Sequence, residues 1–179
     1  MTRLIAGTAR GRRLVVPKGL ATRPTSDKVR GAIMNLLGQF FEGGEVLDLY
    51  AGSGALALEA LSRGYSRATC VDRDARALEA VRKNAEACRF GDRVEIVRGE
   101  LPESLSRLPA NRYALAFVDP PYGDGPEAAL EGLDRLLVPF GIAVAEHGAR
   151  NPPPGRVGGL SRIDLRSYGG TGISIYRRE

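Results

Sequence analysis

Apolar residues recur along the chain with two alternating spacings. Short apolar runs predict buried strands, which we place at 46–50, 67–72, 94–97, 113–118 and 141–146. Apolar residues spaced by three and four predict helices between them, at 55–63, 74–88 and near 127–137, with a short helix near 102–107. This alternation predicts an open, mostly parallel α/β sheet.

The first part of the chain follows another pattern. Residues 3–7 and 12–16 are short and partly β-branched, with a Gly-Arg turn between them, and predict a small β-hairpin. Apolar positions at helical spacing then predict an amphipathic helix over 27–40. A weak boundary near 42–44 divides the chain into an N-terminal extension, residues 1–42, and a main domain, residues 43–179.

The last part of the chain is again different. Residues 151–155 read Asn-Pro-Pro-Pro-Gly and break regular structure. Beyond them, 163–166 and 173–176 flank a glycine-rich turn and predict an antiparallel pair that finishes the edge of the sheet.

Charge is distributed unevenly. The chain of 179 residues carries 26 Lys plus Arg against 21 Asp plus Glu, and its pI is about 9.6. Residues 1–30 have a net charge of +7, residues 31–149 of −6 and residues 150–179 of +4. Basic ends around an acidic middle favour a polyanionic partner such as nucleic acid, although charge alone is equally compatible with a solvated basic tail.

Composition argues against several protein classes. No apolar run approaches the length of a membrane span, and the N-terminus lacks the apolar stretch of a signal peptide. Cys70 and Cys88 are far apart, which makes a disulfide framework or a zinc site improbable. With His147 as its one histidine, the chain offers little for a Ser-His or Cys-His hydrolase. We expect a cytoplasmic, monomeric protein without metal or membrane association.

The first candidate motif is Asp48-Leu49-Tyr50-Ala51-Gly52-Ser53-Gly54, where the first predicted strand turns into a helix. Glycines at this place let a ligand approach the backbone closely. Asp72, at the end of the second strand, can accept hydrogen bonds from ribose hydroxyls. The same glycines fit the dinucleotide fingerprint Gly-x-Gly-x-x-Ala, but Asp48 suits a cationic ligand such as S-adenosyl-L-methionine better than a pyrophosphate.

The second motif is Asp119-Pro120-Pro121-Tyr122, directly after the fourth strand. Two prolines remove two backbone donors and stiffen the turn. A carboxylate, free carbonyl groups and an aromatic face remain, a set that suits a planar exocyclic amine. Hydrogen bonds from the amine to Asp119 and the Pro120 carbonyl would localise the lone pair on nitrogen.

Together these motifs resemble the amino-methyltransferases that use S-adenosyl-L-methionine. More specifically, the chain resembles the RsmD family, bacterial methyltransferases of the guanine-966 N2 of 16S rRNA. The resemblance covers nearly the whole chain. Its segments are Ile5–Gly7, Gly11–Leu14, Arg23–Arg30, Asp48–Leu56, Glu59–Gly64, Asp119–Tyr122 and Tyr168–Thr171.

The resemblance implies a Rossmann-like class I methyltransferase fold, with a seven-stranded, mostly parallel sheet and an antiparallel C-terminal edge. The expected cofactor residues lie at the ends of the first three strands: Asp48, Tyr50, Ala51, Gly52, Ser53, Gly54, Asp72, Arg73, Glu100 and Leu101. The expected catalytic residues are Asp119, Pro120, Pro121 and Tyr122. The basic residues expected to hold RNA phosphates are Arg10, Arg12, Arg13, Arg23, Lys28 and Arg30.

The expected reaction is direct methyl transfer to a guanine N2 rotated out of 16S rRNA, free or in the small ribosomal subunit. A DNA adenine-N6 methyltransferase shares the logic of the second motif and is the main alternative. A protein glutamine methyltransferase usually carries Asn at the position of Asp119, so the carboxylate here argues against that class. A nicotinamide dehydrogenase would bind a dinucleotide, and an RNA-binding domain without catalysis would show damage at the motif residues, of which we see none.

Overall fold

A computed structural model describes residues 2–17, 27–38, 41–121 and 123–179. Within these ranges the helices are α1 (Asp27–Leu37), α2 (Ala55–Ser62), α3 (Ala75–Ala87) and α4 (Glu127–Glu131). The strands are β1 (Glu45–Leu49), β2 (Arg67–Asp72), β3 (Val94–Arg98), β4 (Tyr113–Val118), β5 (Leu137–Gly148), β6 (Arg156–Val157), β7 (Leu160–Tyr168) and β8 (Thr171–Arg178). Short 3-10 turns occupy Gly91–Arg93 and Glu103–Arg107.

All eight strands form one sheet in the order β3-β2-β1-β4-β5-β8-β7-β6. The first five pair in parallel, whereas β8, β7 and β6 join in antiparallel orientation. The predicted mostly parallel sheet with an antiparallel C-terminal edge is therefore confirmed. The two-residue β6, beyond the expected seven strands, was not predicted.

The sheet is covered on both faces, which is why its central strands β1 and β4 are largely apolar, with Asp48 as a buried exception. On one face the core joins α1, α2 and α3 to alternate residues of the strands, among them Val46, Cys70 and Phe117. On the other face Leu47 and Val118 pack against α4 and the 3-10 turn at Glu103–Arg107. The period of two along β1 and β4 sends successive side chains to opposite layers.

The N-terminal segment 2–17 lies on the layer formed by α1, α2 and α3. Leu4 and Leu14 are buried in the same core as these helices. The expected hairpin is reduced to one antiparallel bridge, Arg3 with Arg13, extended by backbone hydrogen bonds. The segment packs onto helices rather than onto another strand, so its β-pairing does not extend beyond this one bridge.

Two predicted elements depart most from the observed boundaries. The helix expected near 127–137 ends at Glu131, and β5 begins at Leu137 rather than at 141. Leu130, Leu133 and Leu136 are buried at helix-like spacing but lie partly in a turn. The periodic signal there reports burial, not continued helix. No helix in the described ranges is long and apolar enough to cross a membrane.

Candidate active site

The two motifs meet at the carboxyl edge of the sheet. β1 and β4 are parallel neighbours, and Leu49, the last residue of β1, lies opposite Val118, the last residue of β4. The glycine loop that follows β1 and the proline turn that follows β4 therefore start side by side. Open α/β sheets bind their ligands at this edge.

Hydrogen bonds from two directions fix the glycine loop. Gly52 donates its backbone N–H to Asp72 Oδ2 at 2.9 Å, and the Ser53 carbonyl accepts a hydrogen bond from Asn84. Gly52 and Gly54 have φ values of 56° and 76°, in the left-handed region that glycine tolerates best. A Cβ on Gly54 would lie 3.3 Å from Val81, whereas one on Gly52 would meet only the Tyr50 carbonyl, at 3.9 Å. The backbone is thus tightly packed beneath Gly54 and open above Gly52.

Asp72 ends β2 next to this loop. Its two carboxylate oxygens accept backbone N–H groups, Oδ2 from Gly52 and Oδ1 from Asp74, both at 2.9 Å. Each oxygen retains further lone-pair capacity, since an ionised carboxylate has about four acceptor sites. Asp72 therefore orders the loop and still can accept hydroxyl groups of a ligand.

Asp48 lies beneath the loop, with 1% of its surface exposed. Its Oδ2 accepts the Ala57 N–H at 3.1 Å, one of the amide groups that the first turn of α2 leaves without a helical partner. Burial raises the pKa of Asp48 well above its ordinary value, and the negative charges of Asp119 and Asp72 raise it further. A bound cation would favour the ionised form of this carboxyl group.

The remaining expected cofactor residues surround the loop at the ends of β1, β2 and β3. Tyr50 has a φ of 62°, which strains a side chain of this size, and its burial raises the pKa of its hydroxyl group. Arg73 and Glu100 are exposed and form an ion pair at 3.7 Å. Leu101 packs with Tyr50 against the second core. These side chains border an open edge and do not close it.

The proline turn presents a carboxylate beside Asp48. Asp119, Pro120 and Pro121 are half-buried at the end of β4. Asp48 lies opposite Phe117, which faces the layer of α1, α2 and α3, and continuing the β4 pleat one residue past Val118 would direct Asp119 the same way. The effect of Asp119 on the pKa of Asp48 agrees with this placement. Tyr122 lies outside the described residues.

The basic residues of the expected RNA surface divide into two groups. Arg10, Arg12, Arg13 and Lys28 are exposed, and within the described ranges none of them forms an ion pair. Arg23 lies outside the described residues.

Arg30 corrects the prediction. It is completely buried, donates to the Arg3 carbonyl and lies 3.8 Å from Glu59. A buried guanidinium cannot reach an RNA phosphate, so the assignment of Arg30 to the RNA surface is wrong.

The structural roles of two buried polar residues, Glu59 and Asn84, escaped the sequence analysis. Glu59 accepts hydrogen bonds from the Ile5 and Ala6 backbone and from Arg63, and thereby ties the N-terminal segment to α2. Asn84 connects that segment to the glycine loop. The available signal was a polar residue on the buried stripe of each helix. Among the described residues, no cluster of His, Cys, Asp and Glu could hold a metal ion.

A family model described as Conserved hypothetical protein 95 matches residues 2–177. The chain belongs to this family. It is 37% identical to the "Putative rRNA methyltransferase YlbH" of Bacillus subtilis, over 98% of each chain. It is also 37% identical to the Ribosomal RNA small subunit methyltransferase D of Escherichia coli, but that match spans 69% of this chain and 61% of the relative. The resemblance to the RsmD family is therefore confirmed.

Solved structures agree with this family assignment. The "Putative methyltransferase yhhF" of Escherichia coli matches with a TM-score of 0.85 at 32% identity, over 99% of this chain and 98% of that one. An RNA methyltransferase of Salinibacter ruber in complex with S-adenosyl-L-homocysteine matches with a TM-score of 0.68 at 18% identity, over 87% and 94%, and shows likeness of fold only. The Rossmann-like class I methyltransferase fold is confirmed.

Proposed function

We propose that this protein transfers a methyl group from S-adenosyl-L-methionine to the exocyclic N2 of a guanine in 16S rRNA, at a position of the guanine-966 type. Family membership supports the coarser statement, an rRNA methyltransferase that uses S-adenosyl-L-methionine. One observation supports an exocyclic amine as the methyl acceptor, and the choice of guanine N2 follows from the resemblance to the RsmD family. The donor-poor turn at Asp119–Pro121 starts directly beside the glycine loop, on the neighbouring strand.

The residues of the loop fit the cofactor. The open space above Gly52 admits a ligand against the backbone, and Asp72 has capacity to accept ribose hydroxyls. The Asp48 carboxylate suits the positive charge of an amino or sulfonium group. When bound, S-adenosyl-L-methionine supplies a methyl group on a positively charged sulfur, with S-adenosylhomocysteine as the leaving group.

Asp119 and Pro120 act on the target amine. The lone pair of the guanine N2 is delocalised into the ring, so the free amine is a poor nucleophile. Its two N–H groups would donate to the Asp119 carboxylate and the Pro120 carbonyl, which localises the lone pair on nitrogen and aims it at the methyl carbon. From its place in the motif, Tyr122 is proposed to stack on the base.

The reaction balances without another acid or base. One N–C bond forms as one S–C bond breaks, and the nitrogen becomes strongly acidic once it is bonded to the methyl carbon. Its proton passes to Asp119 or to water. Orientation and the local field of the carboxylate supply most of the rate advantage.

The N-terminal extension, residues 1–42, is proposed to hold the RNA. Arg10, Arg12, Arg13 and Lys28 are exposed on this extension and can contact phosphates, and Arg23 is included from the sequence. Stacked guanine cannot reach the turn after β4, so the base must leave its stack. Phosphate contacts on both sides of that base would hold the RNA while it does.

Tritium transfer from labelled S-adenosyl-L-methionine tests the proposal. Small-subunit particles that lack the modification, free 16S rRNA and duplex DNA are compared, and the modified nucleoside is identified by mass spectrometry. We expect N2-methylguanosine in the rRNA. Label recovered as N6-methyladenine in DNA, or no label in any rRNA sample, would overturn the proposal.

A further inference from the structure

Asn84 lies in the last turn of α3, where a buried asparagine is an unusual choice. Asparagine disfavours helix interiors because its side chain competes for backbone hydrogen bonds. It is 1% exposed and sits among core residues of the same helix, such as Val81 and Ala85. A buried carboxamide is unfavourable unless it is hydrogen-bonded, so its partners explain its presence.

Those partners belong to two separate parts of the molecule. Asn84 Oδ1 accepts the Val15 N–H at 2.7 Å, and Nδ2 donates to the Val15 carbonyl at 2.9 Å. The second hydrogen of Nδ2 goes to the Ser53 carbonyl, also at 2.9 Å. These partners determine the orientation of the side-chain amide. If it were flipped, Nδ2 would face the Val15 N–H and Oδ1 would face two carbonyl oxygens, and all three hydrogen bonds would be lost.

These contacts join the two surfaces on which the proposed function depends. Val15 follows Arg12 and Arg13 in the N-terminal segment, and Ser53 lies between the two glycines of the cofactor loop. The Asn84 carboxamide pairs with the Val15 peptide group as a neighbouring strand would. Its remaining N–H donates to the Ser53 carbonyl, so one side chain connects the N-terminal segment to the glycine loop.

We propose that Asn84 is a positioning residue that couples RNA binding by the N-terminal segment to cofactor binding at the glycine loop. The inference rests on the proposed function. A cofactor that orders Ser53 orders Asn84 and with it Val15, so RNA then meets a segment that has already lost its conformational freedom. By linkage, bound RNA must strengthen cofactor binding by the same factor.

The test measures that factor. The Kd of unmodified small-subunit particles is determined with and without saturating S-adenosylhomocysteine, which occupies the cofactor site without reacting. For the wild-type protein we expect particle binding to tighten by about fivefold or more, the lower end of ordinary coupling between sites. Asn84→Ala should reduce the factor to below about twofold, while each ligand still binds alone.

Ser62→Ala is the matched control. Ser62 also fastens the N-terminal segment, since its Oγ donates to the Ala6 carbonyl and accepts the Ala9 N–H, but at the far end of α2 from the loop. Its removal should weaken particle binding equally with and without cofactor and leave the coupling factor intact. Loss of coupling in Ser62→Ala as well would overturn the role of Asn84.

The outcomes separate this inference from the proposed function. A wild-type protein that binds neither ligand overturns both, whereas binding of both without coupling overturns only the inference. If Asn84→Ala does not fold, hydrogen exchange on the wild-type protein decides. Saturation with S-adenosylhomocysteine should slow exchange of the Val15 amide, and an unchanged rate there would contradict the coupling.

Discussion

At the scale of single residues, the proposal depends most on Asp119, the group proposed to act on the reacting amine. Replacement by alanine removes the acceptor that localises the lone pair. We expect Asp119→Ala to lower kcat by about 10²-fold or more, the scale of losing one preorganised polar group at a reacting centre. Single-turnover methyl transfer measures this loss, and calorimetry should find the cofactor Kd unchanged.

Asp124→Ala provides the control for that variant. Asp124 is an exposed carboxylate a few residues along the same loop, and its removal should leave turnover unaffected. Equal losses in the two variants, or near-normal turnover of Asp119→Ala, would show that Asp119 has no specific role.

We expect Asp48 to make cofactor binding depend on pH. Burial and the neighbouring charges raise its pKa in the free protein, whereas a cationic ligand favours the ionised form. Affinity for S-adenosyl-L-methionine should therefore rise with pH until the raised pKa is passed, by up to about tenfold per pH unit, and then level off. Titrations across pH should show this rise in the wild-type protein and none in Asp48→Asn.

The same pKa shift affects stability with the opposite sign. Between the ordinary pKa of an aspartate and the raised one, the folded protein holds a proton that the unfolded chain has released. The free energy of unfolding of the ligand-free protein should thus fall as the pH rises through this window. If Asp48→Asn and the wild-type protein followed the same pH course, the raised pKa would be contradicted.

At the scale of elements, the N-terminal segment packs on the helix layer, carries exposed arginines and is proposed to hold the RNA. Reversal of Arg12 and Arg13 to glutamate should raise the KM for small-subunit particles. Each lost phosphate contact lowers the salt slope of binding by about one unit, so the double variant should lose about two. Salt titrations of binding measure this slope.

Arg107→Glu is the matching control, because this exposed arginine lies on the 3-10 turn that covers the opposite face of the sheet. The salt slope of particle binding by the Arg107→Glu variant should remain near that of the wild-type protein. A slope unchanged in the Arg12 and Arg13 variant would show that the segment does not hold the RNA.

Glu59 anchors that segment through a buried charge cluster on α2. It faces Arg63 and Arg30, all three side chains being buried. Its removal takes away the carboxylate that faces two buried guanidinium groups, and breaking a buried ion pair typically costs about 3–5 kcal/mol. Urea unfolding of Glu59→Ala should show a loss of this size, compared with less than about 1 kcal/mol for Glu79→Ala, which breaks an exposed pair with Arg82. Similar losses in both variants would contradict the role of the cluster.

The sequence could predict elements that depend on a local pattern, but not contacts between residues that are distant in sequence. β2 and β4 were predicted with the bounds they have. For β4 the reason is an uninterrupted apolar run between Arg112 and Asp119, which leaves one choice of strand. Arg30 was misjudged because its burial depends on Glu59, distant in sequence and itself buried. Asn84 was missed for the same reason, since its partners Val15 and Ser53 are brought together only by the fold.

At the scale of the whole molecule, topology explains how two distant motifs become one site. The glycine loop and the proline turn are separated by two further strands in the sequence, but the sheet order places β4 directly beside β1. The sequence predicted that the two motifs lie at one edge of the sheet, since strand ends of a parallel sheet share that edge. It could not predict how the N-terminal segment packs onto α2 and α3, because isolated polar contacts fix that arrangement.

A crystal structure with S-adenosylhomocysteine bound is the most direct measurement of this arrangement. We expect the ribose of the ligand at Asp72 and its sulfur turned toward Asp119. Between the sulfur and the Asp119–Pro120 turn we expect a gap that a guanine can fill. A ligand bound elsewhere, for example in the hollow beside Leu78 and Ile96 between α3 and β3, would contradict it.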